Sequence, residues 1–200
     1  MPAPFSPDAT SLLKALAVGS HALIDAHFWS EGVDKLLAAL GEASGVNRVW
    51  IFQTIERNPN GVLQDFVFEW ASSSHYRERT QKRFRFFTTL IDDPEYEEMV
   101  NGRERGDSHT CITSKVDLGT LRDNLESQSI LSMVTVPIMV DGQWWGTLGF
   151  DDCEREVNWV GAGLEALVIG AELIASAIYR QHLTRRQRQV DFAGVSWRLR

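Results

Sequence analysis

The stretch Ile130–Phe150, ILSMVTVPIMVDGQWWGTLGF, decides the fold of this chain. Two apolar runs flank Asp141-Gly142, and an Asp-Gly pair between strand-forming residues is a strong signal for a tight β-hairpin. In the first run both alternating sets of residues are largely apolar, which indicates a strand that is covered on both faces. The sequence therefore predicts a buried hairpin at the centre of a layered domain.

Amphipathic helices are predicted on both sides of this hairpin along the chain. Ser6-Pro7 is typical of a helix start, with Ser6 as N-cap, and Ser30 is a candidate cap for a second helix that ends at Gly41 or Gly45. After the hairpin, Asn158 is a candidate cap for a long final helix. Its apolar stripe is broadened by glycine and alanine, which predicts close contact with the sheet or with a second copy of the helix.

A second hairpin precedes the first. The segment Val46–Glu56 predicts a strand with apolar residues on both faces, and an Asn-Gly turn leads into a return strand over Val62–Ala71. Side chains two positions apart share a face of a strand, so we expect Phe66, Phe68 and Trp70 to lie on one side of the sheet.

The segment between the hairpins, Phe86–Gln128, is the least regular part of the chain. It predicts a short helix over Glu95–Val100 that Asn101-Gly102 closes, a short strand at Cys111-Ile112, and a helix over Leu118–Gln128. Irregular segments with apolar residues that lie over a sheet often form ligand pockets.

Composition and charge exclude several classes of protein. With 44% hydrophobic and 24% charged residues, the 200-residue chain has enough apolar sequence for one domain with a substantial core. Its formal net charge of −7 makes nucleic acid an unlikely partner. No run approaches the roughly 18 apolar residues of a membrane span, and no signal peptide is visible, so we expect no membrane partner and a cytoplasmic location.

The ends of the chain differ in charge from the rest. We expect a flexible lead-in over residues 1–7, one domain over 8–180, and a basic helical extension over 181–200. The six Arg and one Asp between Arg180 and Arg200 give a local charge of +5, most simply a solvated or dimer-facing extension. Gly194 is expected to break this helix, with Val195, Trp197 and Leu199 alternating as a short strand.

The order helix, helix, hairpin, irregular segment, hairpin, long helix resembles the GAF domain family of signalling modules. The resemblance is carried by SQSILSMVTVPIMVDGQWWGTLGFDD at residues 127–152, by RVWIFQ at residues 48–53, and by the pattern of the last helix up to Arg180. It implies an α+β, profilin-like fold of three layers, α/β/α, with a central antiparallel β-sheet. It also implies a regulatory, non-enzymatic, small-molecule-sensing domain of a bacterial signalling protein. The expected partners are a second copy, through the first and last helices, and an output domain such as a histidine kinase or diguanylate cyclase.

Departures from the family leave the ligand and any cofactor unknown. The chain has no Asn-Lys-Phe-Asp signature of the members that bind cyclic nucleotides, and it has no Cys-His pair of the kind that anchors bilins. It has only two cysteines, Cys111 and Cys153, where methionine-sulfoxide-reductase members have a cluster. No cysteine or histidine spacing indicates a metal site.

Six side chains would border a pocket if the layout of the family holds. They are Trp70, Phe86, Tyr96, His109, Cys111 and Met133. Trp50, Trp144 and Phe52 are expected in the core, and the acidic cluster from Asp151 to Glu156 is expected to be a solvated loop.

Two other functions stay open at this point. His109 and Cys111 lie on the same face of a short strand, so a small redox enzyme that uses Cys111 is one alternative. A structural dimerisation module without a pocket is the other. A fold alone does not choose between them.

Overall fold

The computed structural model describes residues 5–79 and 81–196, with side chains up to residue 187 in the last helix. Within these residues the main elements are α1 (Ala9–Asp25), α2 (Trp29–Ser44), β1 (Arg48–Asn58), β2 (Gly61–Ala71), β3 (Phe87–Leu90), α3 (Pro94–Arg105), β4 (His109–Ile112), α4 (Thr120–Ser127), β5 (Ser132–Val140), β6 (Gln143–Asp152) and α5 (Gly161–Ser196).

The strands form one antiparallel sheet in the order β3-β2-β1-β6-β5-β4. The predicted hairpin is its centre: Val140 pairs with Gln143, and the two turn residues Asp141 and Gly142 have φ of 53° and 74°. A two-residue hairpin loop of type I′ requires positive φ at both turn positions. Asp followed by Gly tolerates these φ values, which explains the Asp-Gly pair.

Two apolar layers cover the sheet, one on each face. On the helical face, α2 and α5 pack on the sheet, and α1 packs on these two helices. Fully buried residues of this layer include Leu36, Leu40, Leu148 and Ile174. On the opposite face, the cavity face, α3, α4 and their connecting segments cover aromatic residues of β1 and β2. The predicted three-layer α+β architecture is confirmed.

A β-bulge in β2 corrects one predicted strand face. Ile51 pairs with Phe68, but its neighbour Phe52 pairs with Phe66, so Val67 is an extra residue between the two pairs. An extra residue reverses the alternation of side chains. Phe66 therefore lies on the cavity face with Phe52, whereas Phe68 lies on the helical face with Ile51.

The helix boundaries differ from the predicted ones. The N-cap of α1 is Asp8, whose carboxylate accepts a hydrogen bond from the Ser11 N–H at 2.9 Å, and not Ser6. The helix α2 begins at Trp29, one residue before the predicted cap Ser30. It ends at Gly45, with φ of 69°, and not at Gly41, the other predicted end. Asn158 does not cap α5, since that helix begins at Gly161.

The helix α3 runs further than the sequence predicts. Asp93 caps its start by accepting the N–H groups of Glu95 and Tyr96, and Gly106, with φ of 92°, ends it. The predicted end at Asn101-Gly102 is wrong, because the close approach to the sheet continues for one more turn. Arg103 is consequently a helical residue that faces the sheet, with 4% of its surface exposed.

The helices α1 and α5 lie side by side and run in the same direction. Near their starts, Phe5 forms a parallel bridge with Val157, and the Ser6 hydroxyl donates to the Asn158 carbonyl at 3.0 Å. Near the end of α1, the Arg180 guanidinium donates to the Leu23 carbonyl at 3.0 Å. The helix α5 then continues beyond α1 for about 24 Å, at 1.5 Å per residue.

The ends of the chain test some of the sequence predictions. Gly194 does not break the last helix, which continues to Ser196 and includes Val195. Trp197 and Leu199, predicted to continue a strand from Val195, lie outside the described residues, as do residues 1–4 of the expected lead-in.

Among the residues that the structure describes, one helix is long and apolar enough to cross a membrane by length and composition alone, which corrects the expectation that no run is. It is the part of α5 from Gly161 to Gln187, with a mean hydropathy of 1.6 over its most apolar window, 44% of which is buried. Leu167, Ile174 and Ile178 of this segment are at most 1% exposed and pack on the helical face. This apolar stripe is therefore part of the protein core.

Candidate functional site

A cavity of about 60 Å³ lies on the cavity face, between the sheet and the two helices α3 and α4. Its walls are predominantly aromatic and apolar, and the rings pack edge to face, with 4.7 Å between the centroids of Phe52 and Phe66. Apolar walls with a few placed polar groups are the usual composition of a small-molecule site. The apolar lining residues are Trp50, Phe52, Phe66, Phe84, Phe87, Tyr96, Met99, Leu121, Leu125, Ile130 and Met133.

A buried ion pair forms one end of the cavity. The Arg48 guanidinium donates to Asp151 Oδ2 from Nε at 2.8 Å, and its Nη2 lies 2.7 Å from the same oxygen. Trp50 Nε1 also donates to Oδ2, at 2.8 Å. Both charged side chains are 2% exposed. The predicted solvated loop is thus wrong at Asp151 and Asp152, because both residues belong to the buried end of β6 and are 1% exposed.

Ionisation of this pair follows from its contacts. Burial raises the pKa of Asp151, while the charge and hydrogen bonds of Arg48 act in the opposite direction. Burial by itself lowers the pKa of Arg48, but the Asp151 carboxylate outweighs it and the pKa is raised. Because three donor contacts converge on Oδ2, we assign a carboxylate to Asp151 and a cation to Arg48. The second oxygen, Oδ1, has no hydrogen-bond partner among the described residues.

Arg103 forms another wall of the cavity and lacks such a partner. Its Nη2 lies 3.2 Å from Thr135 Oγ1 and 3.3 Å from Met99 Sδ, and its Nε has no acceptor in the described part of the chain. No carboxylate of the described residues lies within 4.0 Å of it. Burial lowers the pKa of Arg103. A buried ion without a counter-charge costs several kcal/mol, so this residue calls for a functional explanation.

Gln64 adds an uncompensated donor to the same cavity. Its side chain is 2% exposed, and its Nε2 has no acceptor among the residues that the structure describes. Three buried polar groups around one aromatic cavity therefore have unused hydrogen-bonding capacity: Arg103 Nε, Gln64 Nε2 and Asp151 Oδ1. Buried polar groups are nearly always paired in native proteins, so such a concentration makes this cavity the candidate functional site.

The structure brings together some of the predicted site residues and separates the others. Tyr96 and Met133 line the cavity. His109 and Cys111 line an adjacent, more open groove of about 250 Å³ beside Glu95. Trp50 and Phe52, expected in the core, are packed in the apolar layer and also line the cavity.

Trp70 and Phe86 do not line the cavity. The bulge in β2 places Trp70 on the helical face, where its ring covers Gly41 so closely that no Cβ would fit there. Phe86 has φ of 47° and is 62% exposed, and its neighbour Phe87 lines the cavity instead. Both corrections come from local irregularities that reverse the direction of a side chain.

The chemistry of the two thiols does not favour a nucleophile. Burial raises the pKa of Cys111 to about 12 and that of Cys153 to about 11. Because the thiolate is the reactive form, both sulfurs are weak nucleophiles at neutral pH. In residues 5–79 and 81–187, no three His, Cys, Asp or Glu side chains are arranged to hold a metal ion.

Sequence reasoning missed the polar groups of the cavity for two reasons. Arg48 and Asp151 are far apart in the sequence, and no local pattern predicts their pairing. The sequence does contain a signal for Arg103, because this residue follows the spacing of one helix face together with Tyr96, Met99 and Val100. An arginine on an otherwise apolar helix face is the pattern that could have identified it.

The sequence is similar to those of known proteins. The family model described as "GAF domain" matches residues 30–178. The methanogenesis regulatory histidine kinase FilI of Methanothrix harundinacea (strain 6Ac) is 28% identical over 171 residues, which are 84% of this chain and 18% of that kinase. The chain spans about a fifth of the length of the curated relatives it matches.

Solved structures resemble the fold. The phycoerythrobilin-bound GAF domain from a cyanobacterial phytochrome aligns with a TM-score of 0.66 at 15% identity, over 89% of this chain and 100% of that one. The GAF domain from an Acinetobacter phosphoenolpyruvate-protein phosphotransferase aligns with a TM-score of 0.61 at 14% identity, over 88% and 97%. At these identities the similarity concerns the fold alone.

Proposed function

Because this chain belongs to the GAF domain family, we propose that it is the small-molecule-sensing, regulatory part of a cytoplasmic signalling protein. The observation that carries the proposal is the aromatic cavity with three buried polar groups that have unused hydrogen-bonding capacity. A purely structural module would gain stability by filling this space with apolar side chains.

The sheet offers a route from the cavity to α5. Successive residues of β5 face opposite sides: Met133 lines the cavity, and Val134 packs in the apolar layer of the helical face. In β6, Asp151 lines the cavity and its neighbour Phe150 packs in the apolar layer of the helical face. A ligand that favours one arrangement of these strands would therefore shift the population of α5 positions.

We propose a second copy of the chain as the partner of α1 and α5. These parallel helices expose apolar side chains to solvent: Leu13 and Ile24 on α1 are 52% and 62% exposed, and Ile169 and Leu183 on α5 are 41% and 46% exposed. Ile169 and Leu183 are two heptads apart, so they share one seam of a coiled coil. Four such helices from two copies would bury these residues in a bundle.

The output domain lies outside this chain. A histidine kinase is supported by the similarity to a regulatory histidine kinase, and a diguanylate cyclase is the other candidate from the family resemblance. Either would be joined to the part of α5 that extends beyond α1.

Native mass spectrometry of the chain, purified without reducing agent, tests this proposal. We expect a dimer whose mass exceeds twice the chain mass by a small molecule that is lost on denaturation. Leu125→Phe, which fills the cavity, should reduce the bound mass and leave the dimer, whereas Ile169→Arg should give a monomer that still binds. A dimer with no bound or bindable molecule, in a metabolite screen by thermal shift, would contradict sensing. A monomeric wild type would contradict the bundle.

A further inference from the structure

The charges around the cavity do not balance. Its charged lining residues are Arg48, Arg103 and Asp151, so two cations minus one anion leave +1. Glu78 lies 3.8 Å from Arg48 but also pairs with Arg83 at 3.2 Å, so it is shared between two cations. The excess positive charge is therefore at Arg103, which has no carboxylate within 4.0 Å in the described part of the chain.

The groups with unused donors match a carboxylate. Arg103 Nε and Gln64 Nε2 are buried N–H donors without acceptors among the described residues, and both residues line the cavity. Thr135 and Met99 contact Nη2 of Arg103 and hold the guanidinium in position. An ionised carboxylate supplies two acceptor oxygens and the missing negative charge, and guanidinium–carboxylate hydrogen bonds are among the strongest in proteins.

Size and wall chemistry restrict the rest of the ligand. The cavity of about 60 Å³ is smaller than the roughly 150 Å³ cavity that holds a benzene molecule, so a large planar ligand such as a tetrapyrrole does not fit. The walls beyond the polar groups are apolar rings such as Phe52 and Phe66. A single excess charge suits a monoanion better than a phosphate dianion.

We propose that the ligand is a short-chain organic carboxylate of about two or three carbon atoms, with its carboxylate on Arg103 and its apolar end among the aromatic rings. This inference rests on the proposed sensory function and names the chemical class that it would sense.

The first experiment titrates the chain with acetate and propionate, and in parallel with acetamide and propionamide, at constant ionic strength. Isothermal calorimetry reports binding, and the intrinsic tryptophan fluorescence, to which Trp50 in the cavity wall contributes, is a second readout. We expect the carboxylates to bind at least tenfold more tightly than the amides of the same shape. Equal affinity for carboxylate and amide, or for propionate and nitrate, would overturn the proposal, because the site would then not recognise an organic carboxylate.

Arg103→Met supplies the second experiment, with Arg105→Met as its matched control on the same helix. Arg105 is exposed and pairs with Glu98 and Asp107 at 2.9 Å. We expect Arg103→Met to weaken carboxylate binding at least tenfold and to raise the Tm of the ligand-free protein, since it replaces an unpaired buried charge with an apolar chain. Arg105→Met should leave binding unchanged. A lower Tm with unchanged binding would mean that Arg103 is only structural.

Arg103→Lys keeps the proposal testable if Arg103→Met does not fold. It removes the fork of guanidinium donors and keeps a cationic side chain, so we expect affinity for propionate to fall about three- to tenfold while propionamide is unaffected. Unchanged propionate affinity would overturn the assigned position of the carboxylate.

Failure of the ligand class and failure of sensing are distinguishable. If a neutral molecule binds the wild type and Arg103→Met equally well by native mass spectrometry, the carboxylate is wrong and sensing stands. If neither carboxylates nor the neutral molecules of a metabolite screen bind, the proposed function fails as well.

Discussion

The two faces of the sheet are built on different principles. The helical face is a continuous apolar layer in which residues such as Leu36, Leu40 and Ile174 are fully buried and make no polar contacts. The cavity face contains aromatic rings, a buried ion pair and an unpaired guanidinium around a space of about 60 Å³. The difference indicates that stability comes mainly from the helical face, whereas the polar groups and the open space of the cavity face cost stability, as expected of the proposed binding site.

The largest effect is expected at the buried ion pair of the cavity face. Asp151→Asn leaves the Arg48 cation without its carboxylate, so we expect a loss of about 3–5 kcal/mol in the free energy of unfolding, measured with urea. Asp107→Asn breaks an exposed pair with Arg105 and is the control, with a cost of at most about 1 kcal/mol. Similar costs at both positions would show that the buried pair does not stabilise the fold.

A matched pair of leucines compares the two faces directly. Leu36→Ala, on the helical face, should cost about 2–5 kcal/mol, because the side chain is 0% exposed and packs on Gly19. We expect Leu36→Ala to leave ligand affinity unchanged. Leu125→Ala, on the cavity face, should also destabilise the fold, but it enlarges the cavity and should change which ligand binds best.

Denaturant curves and calorimetric titrations of both leucine variants measure these quantities. If Leu36→Ala alters ligand affinity as much as Leu125→Ala, the division of tasks between the faces is wrong.

Substitution of one tryptophan on each face of the sheet is expected to change the free energy of unfolding by a smaller amount. Trp50→Phe removes the indole N–H that donates to Asp151, and we expect it to cost about 1.5–3 kcal/mol, since hydrogen bonds to charged groups are worth that much. Trp159→Phe, on the helical face, removes a ring that packs on Phe150 with 5.6 Å between centroids. Comparing the losses in free energy of unfolding of the two variants separates the hydrogen bond of Trp50 from the ring packing of Trp159. A smaller loss in Trp50→Phe than in Trp159→Phe would contradict this assignment.

The smallest expected effect concerns pH. Burial, assisted by the charge of Arg103, lowers the pKa of His109 below its ordinary value of 6.5. The neutral imidazole therefore contributes stability that is present above pH 6.5 and is lost as the pH falls through the lowered pKa. In His109→Gln this part of the pH dependence should disappear in unfolding curves between pH 7.5 and 5. Saturating propionate should diminish it in the wild type, because a carboxylate on Arg103 offsets the repulsion between Arg103 and the protonated imidazole.

Patterns of hydrophobicity predicted the architecture because each element is amphipathic or buried on both faces. The hairpin with its Asp-Gly turn is confirmed, and the helix predicted over Leu118–Gln128 is present as Thr120–Ser127. The strand β3 was missed, since a four-residue edge strand pairs with a single neighbour and has a weak pattern. The bulge at Val67 was also missed, because pairing across strands sets it.

The candidate site was less predictable than the fold. Tyr96 and Met133 line the cavity as expected, because both lie on elements whose apolar pattern is regular. Trp70 and Phe86 do not, since a bulge and a positive φ reverse them. Arg103 was not predicted as a site residue, because the sequence predicts the end of α3 at Asn101-Gly102 whereas the helix continues to Arg105.

The parallel arrangement of α1 and α5 has a consequence for any protein built on this domain. Beyond α1, the helix α5 continues as a rigid screw of 3.6 residues per turn, so each residue added there rotates whatever follows by about 100°. Output should then depend on insertion length periodically: insertions of seven residues would nearly restore the angular phase, and insertions of two would invert it. The distance between input and output would matter less than the angle at which they meet.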